Sequence, residues 1–319
     1  MSQQPAAHYL RHGQIPFFRL PCASFADPSA YAGAGAEAVL LGVPWDGGTT
    51  YQPGARLAPW ELRRVSALVQ RFHPVHGIDV FGTIAALDGG NVAVSPFDAA
   101  AMRERVEAEV AAVVAAGAAP FVVGGDHSVA LPALRAAAAR HGPLAVVHVD
   151  AHSDTSTGDL WGDEFHHGTP LRHALAEGLV AEGQLHQLGL RGAWGGADDF
   201  AFASGHGARI FPIEAIAERG IAFVMAEVRE RIGERPTWLT FDVDGIDPAF
   251  APGTGTPVPG GLTSREALHL VRGLAGVRLV GMDLVEIAPP LDHADMTCHL
   301  GASLLFEGLA LLALRKARG

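Results

Sequence analysis

Cysteine, positive charge and long apolar runs are all scarce in this sequence. Cys22 and Cys298 are its only cysteines and stand near opposite ends, which excludes a disulfide framework and a cysteine-built zinc site. The opening residues, MSQQPAAHYLRHGQIPFF, lack a basic start followed by an apolar run, so no secretory signal is predicted. No segment reaches the roughly 18 uninterrupted apolar residues of a membrane span. We therefore expect a cytoplasmic protein.

Lys and Arg together number 23 against 34 Asp and Glu, so the formal net charge is −11. This balance disfavours nucleic acid and anionic membranes as partners, because their phosphates require clustered Lys and Arg. It is compatible with a cationic substrate. Hydrophobic residues make up 49% of 319 residues, which is enough for one sizeable core.

Short apolar runs alternate with Ala-rich helical patterns along the chain. Strands are predicted at Ala38–Val43, Ala119–Val123, Leu144–Val149, Gln184–Leu190, Thr237–Phe241 and Leu279–Leu284. Helices are predicted at Pro59–Val69, Asp98–Ala116, Val129–Arg140, Leu171–Glu177, Ile221–Ile232, Ser264–Leu274 and Thr297–Lys316. Strands that are apolar on both faces and alternate with helices indicate an α/β fold, with a mostly parallel sheet covered by helices on both sides.

The chain shows no composition shift, linker or repeat that would divide it. Residues 1–30 lack periodicity and are predicted to form an extended N-terminal arm, followed by one domain over residues 31–319. Phe17, Phe18 and Leu20 give this arm apolar side chains that we expect to pack on a neighbouring subunit. Three helix starts are also predicted, at Ala58-Pro59, at Ser95-Pro96 and with Ser264 as an N-cap.

Polar clusters follow three of the predicted strands directly. The segments are Gly124–Ser128 (GGDHS), Asp150–Asp154 (DAHSD) and Asp242–Pro248 (DVDGIDP). In open α/β sheets, ligands bind beyond the carboxyl ends of the strands. The spacing of Asp150, His152 and Asp154 would place the three side chains on one side of an extended segment. The three segments are therefore predicted to form one site.

The charges in these segments call for cations. Four carboxylates crowded at the ends of apolar strands are costly unless cations lie among them, and two divalent ions would neutralise all four. Oxygen-rich ligands with imidazole and no sulfur favour Mn²⁺ over a structural zinc. The candidate ligands are His127, Asp150, His152, Asp154, Asp242 and Asp244.

Each cluster taken alone has an ordinary explanation. A single Asp-x-Asp is common in turns and caps, and a single histidine after glycines is weaker still. The combination of three, each after an apolar strand, favours the metal site. A phosphate-binding interpretation of residues 253–256 (GTGT) fails because no Lys-Ser or Lys-Thr follows and Pro257 and Pro259 interrupt the segment.

The three motifs resemble the signatures of the arginase/agmatinase (ureohydrolase) family. Further similarity extends over most of the chain, in GVPWDGG, PGAR, HGTP, PGTGTP and MDLVE. The resemblance implies a three-layer α/β/α fold, two Mn²⁺ per subunit, hydrolysis of a guanidino group to urea and an amine, and a homotrimer or homohexamer.

The resemblance also implies a role for each ligand. One ion would be held by His127, Asp150, Asp154 and Asp242, and the other by Asp150, His152, Asp242 and Asp244, so that Asp150 and Asp242 bridge the two. Asp126, in the first of these motifs, is expected to orient a ligand or a loop without contacting the metal.

Three residues are assigned catalytic roles by the same resemblance. Asp154 would orient the nucleophilic water as well as bind metal, His167 would pass a proton to the leaving amine, and Glu286 would grip the guanidinium through paired hydrogen bonds. His166, beside the proposed shuttle, is expected to be a surface or simply hydrogen-bonded residue.

The substrate is less well determined than the reaction. Thr155–Phe165 is expected to overhang the pocket, and its acids Asp159, Asp163 and Glu164 beside Trp161 favour a cationic tail, hence agmatine hydrolysed to putrescine. A guanidino acid such as 4-guanidinobutyrate or 3-guanidinopropionate is the alternative.

For a guanidino acid, Arg172 and Arg191 are the candidate partners of the carboxylate. Two other functions stay open: that of a metal-dependent deacetylase, typically with a single zinc, and that of a non-catalytic interaction protein.

Overall fold

Eight parallel strands form one sheet in the computed structural model, which describes residues 15–23, 29–194 and 200–318. In chain order the strands are β1 (Ala38–Gly42), β2 (Phe72–His73), β3 (Ile78–Asp79), β4 (Ala86–Asn91), β5 (Ala119–Val123), β6 (Leu144–Val149), β7 (Val180–Leu188), β8 (Arg209–Phe211), β9 (Pro236–Asp242) and β10 (Arg278–Val285). The sheet order is β4-β1-β5-β10-β9-β6-β7-β8, and β2 and β3 pair separately as an antiparallel ladder.

Helices connect the strands of the sheet. In chain order they are α1 (Ser29–Gly33), α2 (Ala58–Ser66), α3 (Val80–Thr83), α4 (Ala99–Ala115), α5 (Ala130–His141), α6 (Pro170–Ala176), α7 (Ala201–Gly205), α8 (Ile213–Arg219), α9 (Ile221–Ile232), α10 (Ser264–Arg272) and α11 (Met296–Arg318). Helix α11 is long and apolar enough to cross a membrane. However, 83% of its most apolar window is buried inside the fold, which is typical of a core helix.

Two apolar cores cover the two faces of the sheet, because successive strand side chains point to opposite sides. In β1, Leu40 packs into the core beneath α2, α9, α10 and α11, whereas Val39 and Leu41 pack into the core beneath α4, α5 and α6. This arrangement confirms the predicted three-layer α/β/α fold and its single domain.

All six predicted strands are present, and two of the sheet's strands were missed. Strand β4 reads ALDGGN, so its two glycines and its acid hide the apolar signal. A Cβ on Gly89 would lie 2.7 Å from side-chain atoms of Leu41 and Val39, so the packing requires glycine there. Strand β8 has only three residues, which is too short for a periodic pattern.

The seven predicted helices are also present, but two predicted starts are wrong. Helix α4 begins at Ala99 with Asp98 as its N-cap, rather than at Ser95-Pro96. Helix α10 is capped by Thr263, whose hydroxyl accepts from Glu266 N while the Glu266 carboxylate accepts from Thr263 N. This reciprocal capping box moves the cap one residue before Ser264.

The aromatic residues near the N-terminus pack inside their own chain. Phe17, Phe18 and Leu20 are buried, and the Phe18 ring lies 5.6 Å from that of Phe81. The expectation that these side chains pack on a neighbour is therefore wrong. Residues 1–14 and 24–28 of the predicted arm lie outside the described residues, and the boundary at residue 30 remains a prediction.

Candidate metal centre

The three motif segments meet at one edge of the sheet. They follow β5, β6 and β9, which lie together with β10 in the middle of the sheet, and parallel strands bring all their carboxyl ends to the same edge. All six predicted metal ligands belong to these segments.

Three carboxylates surround one ring nitrogen. His127 Nδ1 lies 2.8 Å from Asp154 Oδ2, 3.2 Å from Asp150 Oδ2 and 3.3 Å from Asp242 Oδ2. The four residues are buried. Separations of about 3 Å are those expected between adjacent ligand atoms that each lie about 2.1 Å from an octahedral cation.

The hydrogen bonding of His127 uses one ring nitrogen and leaves the other to face the carboxylates. Thr240 Oγ1 donates to Asp283 Oδ1 at 2.6 Å, so it accepts from His127 Nε2 at 2.7 Å. In the neutral ring, Nδ1 therefore carries no proton, and it makes no hydrogen bond within the described residues. Burial lowers the pKa of His127, but the carboxylates of Asp154, Asp150 and Asp242 outweigh it and raise that pKa well above its usual range. The three carboxylates therefore favour positive charge at Nδ1, and a metal ion, which would bind the Nδ1 lone pair and the carboxylate oxygens together, fits these residues.

A second group lies beside the first. His152 Nδ1 is 3.0 Å from Asp244 Oδ2 and 3.4 Å from Asp150 Oδ1. Asp150 thus directs one oxygen to each group, as the predicted bridging role requires. Asp242 directs Oδ2 to the first group, while its Oδ1 accepts from Asp244 N at 2.8 Å. The His152 side chain is 41% exposed, so this group faces solvent.

The side chains after β6 converge for a different reason from the one expected. Asp154 has a φ of 51°, in the left-handed region, so Asp150, His152 and Asp154 do not lie on one extended segment. This turn sends Asp154 towards His127 while His152 reaches Asp244. Glu286 also has a left-handed φ, of 62°. Non-glycine residues in this region often mark functional sites.

The electrostatics favour positive charge in the centre. Burial, followed by repulsion from Asp244 and Asp150, raises the pKa of Asp242 well above its usual range. Burial and Asp150 also raise the pKa of Asp244, and the charge of Asp244 raises the pKa of His152 to about 12. Each shift means that the site gains from added positive charge.

Two buried polar residues that the sequence reading missed support Asp150. His148 Nε2 lies 2.8 Å from Asp150 Oδ2, and Gln187 Nε2 lies 3.1 Å from His148 Nδ1 and 2.7 Å from Ser153 O. His148 interrupts the otherwise apolar, buried strand β6, and that interruption is the sequence signal that could have identified it. Strand β7 carries several other polar residues, so Gln187 does not stand out in the sequence.

Asp126 holds a loop, as expected. Its carboxylate accepts from Gly48 N at 2.6 Å and from Ser128 N at 3.0 Å. Burial and then the neighbouring Glu286 raise the pKa of Asp126 to about 6. The residue therefore ties the loop after β1 to the segment that carries His127.

His167 and Glu286 lie together. His167 Nδ1 is 2.9 Å from Glu286 Oε1, which also accepts from His127 N at 2.8 Å. Burial lowers the pKa of His167, but Glu286 and Asp126 outweigh it and raise that pKa to about 9. His166 is buried and its Nδ1 accepts from Gly168 N, so it is the hydrogen-bonded residue of the two alternatives and not a surface one.

A cavity of about 340 Å³ opens over four of the predicted metal ligands and is lined by His167. Trp161, Trp194 and Phe200 form aromatic parts of its wall. The acids expected beside Trp161 do not face this cavity. Asp159, Asp163 and Glu164 line a separate depression together with Arg172 and His173.

Arg191 is not free to bind a substrate carboxylate. Its guanidinium donates to six backbone carbonyls, including those of Asp244 at 2.6 Å and Val258 at 2.7 Å. Arg172 donates to Thr155 O and packs over the Phe202 ring. Among the described residues that line the cavity, none is Lys or Arg.

Comparison with known proteins agrees with this geometry. The sequence model described as "Arginase family" matches residues 36–310. The chain is 45% identical to guanidinopropionase of Pseudomonas aeruginosa, over 98% of this chain and 96% of that protein. It is 40% identical to mitochondrial agmatinase of Gallus gallus, over 97% and 89% respectively.

A solved structure is similar as well. Proclavaminate amidino hydrolase from Streptomyces clavuligerus superposes with a TM-score of 0.89 at 38% identity, covering 98% of this chain and all of that one. The chain therefore belongs to the arginase family and is a ureohydrolase of that family.

Proposed function

We propose that this protein uses two Mn²⁺ ions to hydrolyse a short linear guanidino compound to urea and an amine, with agmatine as the first candidate substrate. The observation that carries the proposal is the convergence of the buried His127 Nδ1 with carboxylate oxygens of Asp150, Asp154 and Asp242. Bound divalent ions supply Lewis-acid activation of water at neutral pH. The two ligand sets are those implied by the family resemblance, with Asp150 and Asp242 shared.

The chain's own residues have separate roles in this proposal. Asp154 accepts a hydrogen bond from the attacking water and orients it. Glu286 binds the guanidinium: Oε1 already accepts from His127 N and His167 Nδ1, so the substrate contact uses Oε2. His167 gives a proton to the leaving amine, for which a pKa of about 9 provides the protonated ring at neutral pH.

The cavity supports agmatine through its aromatic wall. Trp161 and Trp194 line the cavity, and an ammonium group binds favourably to aromatic rings. Together with the lack of Lys and Arg among the described lining residues, this wall suits a cationic tail. The acids of the loop, which lie in another depression, give agmatine no support.

A guanidino acid is the second candidate. It is favoured by the 45% identity to a protein named guanidinopropionase. Arg172 and Arg191 are already engaged, so a substrate carboxylate would be bound by neutral donors such as Ser153 and Ser156, which line the cavity.

Parallel kinetics separate these candidates. We expect urea release in the presence of Mn²⁺, with the highest kcat/KM for agmatine among agmatine, arginine, 4-guanidinobutyrate and 3-guanidinopropionate. A higher kcat/KM for a guanidino acid would contradict the agmatine assignment. No urea from any of the four would contradict the assigned substrate class, and fewer than two ions per chain would contradict the binuclear centre.

The assembly and location also remain proposals. We expect a homotrimer or homohexamer in the cytoplasm. Light scattering coupled to gel filtration gives the subunit number directly.

A further inference from the structure

Thr50 contacts the far nitrogen of the proposed proton shuttle. Its hydroxyl oxygen lies 2.8 Å from His167 Nε2, and its backbone N donates to the same nitrogen at 3.3 Å. Thr50 and His167 both line the cavity. The residue belongs to the GVPWDGGTT segment, whose side chains have no role in the function proposed above.

The loop that carries Thr50 is held from two sides. Gly48 N donates to Asp126 at 2.6 Å, and Gly48 O accepts from His167 N at 3.1 Å. A Cβ added at Gly48 would lie 3.1 Å from Ser128 Oγ and 3.2 Å from Asp126, so the approach is close. The Thr50 hydroxyl is therefore fixed relative to the His167 ring.

The two ring nitrogens of His167 have different partners. Nδ1 faces the Glu286 carboxylate, which can only accept, so Nδ1 carries a proton. Nε2 is then the nitrogen that gains and loses the exchangeable proton. We propose that Thr50 is a positioning residue for the reaction, whose hydroxyl holds His167 Nε2 in place and serves both of its protonation states. This inference rests on the proposed function.

A hydroxyl suits this position because it can both donate and accept. When the ring is neutral, Thr50 Oγ–H donates to Nε2. When the ring is charged, Nε2–H donates to Thr50 Oγ. The backbone N–H of Thr50 serves only the neutral ring, so a ring without the hydroxyl would be biased towards losing its proton. In the transfer itself, the Nε2–H bond breaks, an N–H bond forms on the leaving amine, and His167 becomes neutral.

Several charges act on the same ring. Glu286, Asp126 and Asp154 raise the pKa of His167 against the effect of burial, and His167 in turn lowers the pKa of His166. Removing only the Thr50 hydroxyl leaves these charges in place. The effect of the hydroxyl can therefore be measured against a constant background.

The test compares Thr50→Val, Thr50→Ser and Thr49→Val in the Mn²⁺-loaded enzyme. Thr49 provides a matched control, because its buried hydroxyl has no hydrogen-bond partner within the described residues. Hydrogen bonds to charged groups contribute about 1.5–3 kcal/mol and neutral ones about 1 kcal/mol, and the hydroxyl bonds both forms of the ring. We therefore expect the pH at which kcat falls through loss of the protonated ring to move down by roughly one unit in T50V. We expect kcat near neutrality to fall roughly tenfold, KM to change little and two metals to remain bound.

The outcomes separate this inference from the proposed function. T50S should restore the parent pH profile, and T49V should not alter it. If the parent releases urea but T50V has the parent's pH profile and kcat, the inference about Thr50 is wrong and the proposed function stands. Loss of metal from T50V along with activity would also overturn the inference. If the parent releases no urea from any guanidino compound, the proposed function itself fails.

Discussion

His148 Nε2 lies 2.8 Å from Asp150 Oδ2, inside the apolar interior of the sheet. Gln187 determines the tautomer of this histidine. One amide hydrogen of Gln187 bonds Ser153 O, which is only an acceptor, and the other points at His148 Nδ1. His148 must therefore donate from Nε2 to Asp150, which fixes the orientation of the proposed bridging carboxylate.

Replacing Gln187 with Leu should weaken metal binding without removing any ligand. Without the Gln187 amide, His148 can adopt either tautomer, and Asp150 loses a fixed donor. Loss of such outer contacts typically costs about 10- to 100-fold in metal affinity. Titration calorimetry with Mn²⁺ measures this directly. Gln184→Leu, a change in the same strand where the amide bonds only Arg231 O, is the control and should bind as the parent does.

Asp150→Asn and Asp242→Asn should each lose bound metal and urea release, because each removes charge that both ions share. His167→Asn should keep both ions while kcat falls by about 10²- to 10⁴-fold, as expected for loss of a general acid. Metal analysis by mass spectrometry together with a urea assay distinguishes the two classes. Asp159→Asn, in the separate depression, should be fully active. Full turnover by Asp150→Asn would refute the assigned chemistry.

The fold and the site centre could be predicted because both depend on local patterns. Apolar strands followed at once by charged residues identify the sheet and its carboxyl edge together. The rest depends on long-range geometry. His148 and Gln187 are brought together by the register of β6 and β7, and Arg191 is surrounded by carbonyls from distant loops. The acids near Trp161 were misplaced because sequence position does not show which way a loop side chain points.

Arg191→Met should destabilise the protein without changing which substrates it accepts. The guanidinium satisfies buried carbonyls of Asp244, Gly245 and Ile246, and an unsatisfied buried polar group costs about 1–3 kcal/mol. We expect the melting temperature to fall by roughly 5 °C or more. Scanning calorimetry measures this, with Arg265→Met on the exposed face of α10 as the control. A lost preference for guanidino acids, with the melting temperature unchanged, would show that Arg191 serves the substrate instead.

His186 predicts a specific dependence of stability on pH. It is buried in β7, and neither ring nitrogen has a hydrogen-bond partner among the described residues. Burial, assisted by the charge of Arg231, lowers its pKa from 6.5 to about 4. Between these two values the unfolded chain binds the proton and the folded chain does not. The contribution of His186 to stability is therefore complete above pH 6.5, is lost as the pH falls towards 4, and totals about 3 kcal/mol.

Comparison of the parent with His186→Leu isolates this effect, because the acids of the metal centre titrate equally in both proteins. When the pH is lowered from 7.5 to 5.5, the free energy of unfolding should fall by about 1.4 kcal/mol more in the parent than in the variant. Denaturant titrations at the two pH values measure it. His269→Leu, at an exposed position on α10, should show no such change. A constant difference between parent and His186→Leu at both pH values would mean that the buried ring accepts a proton in the folded protein.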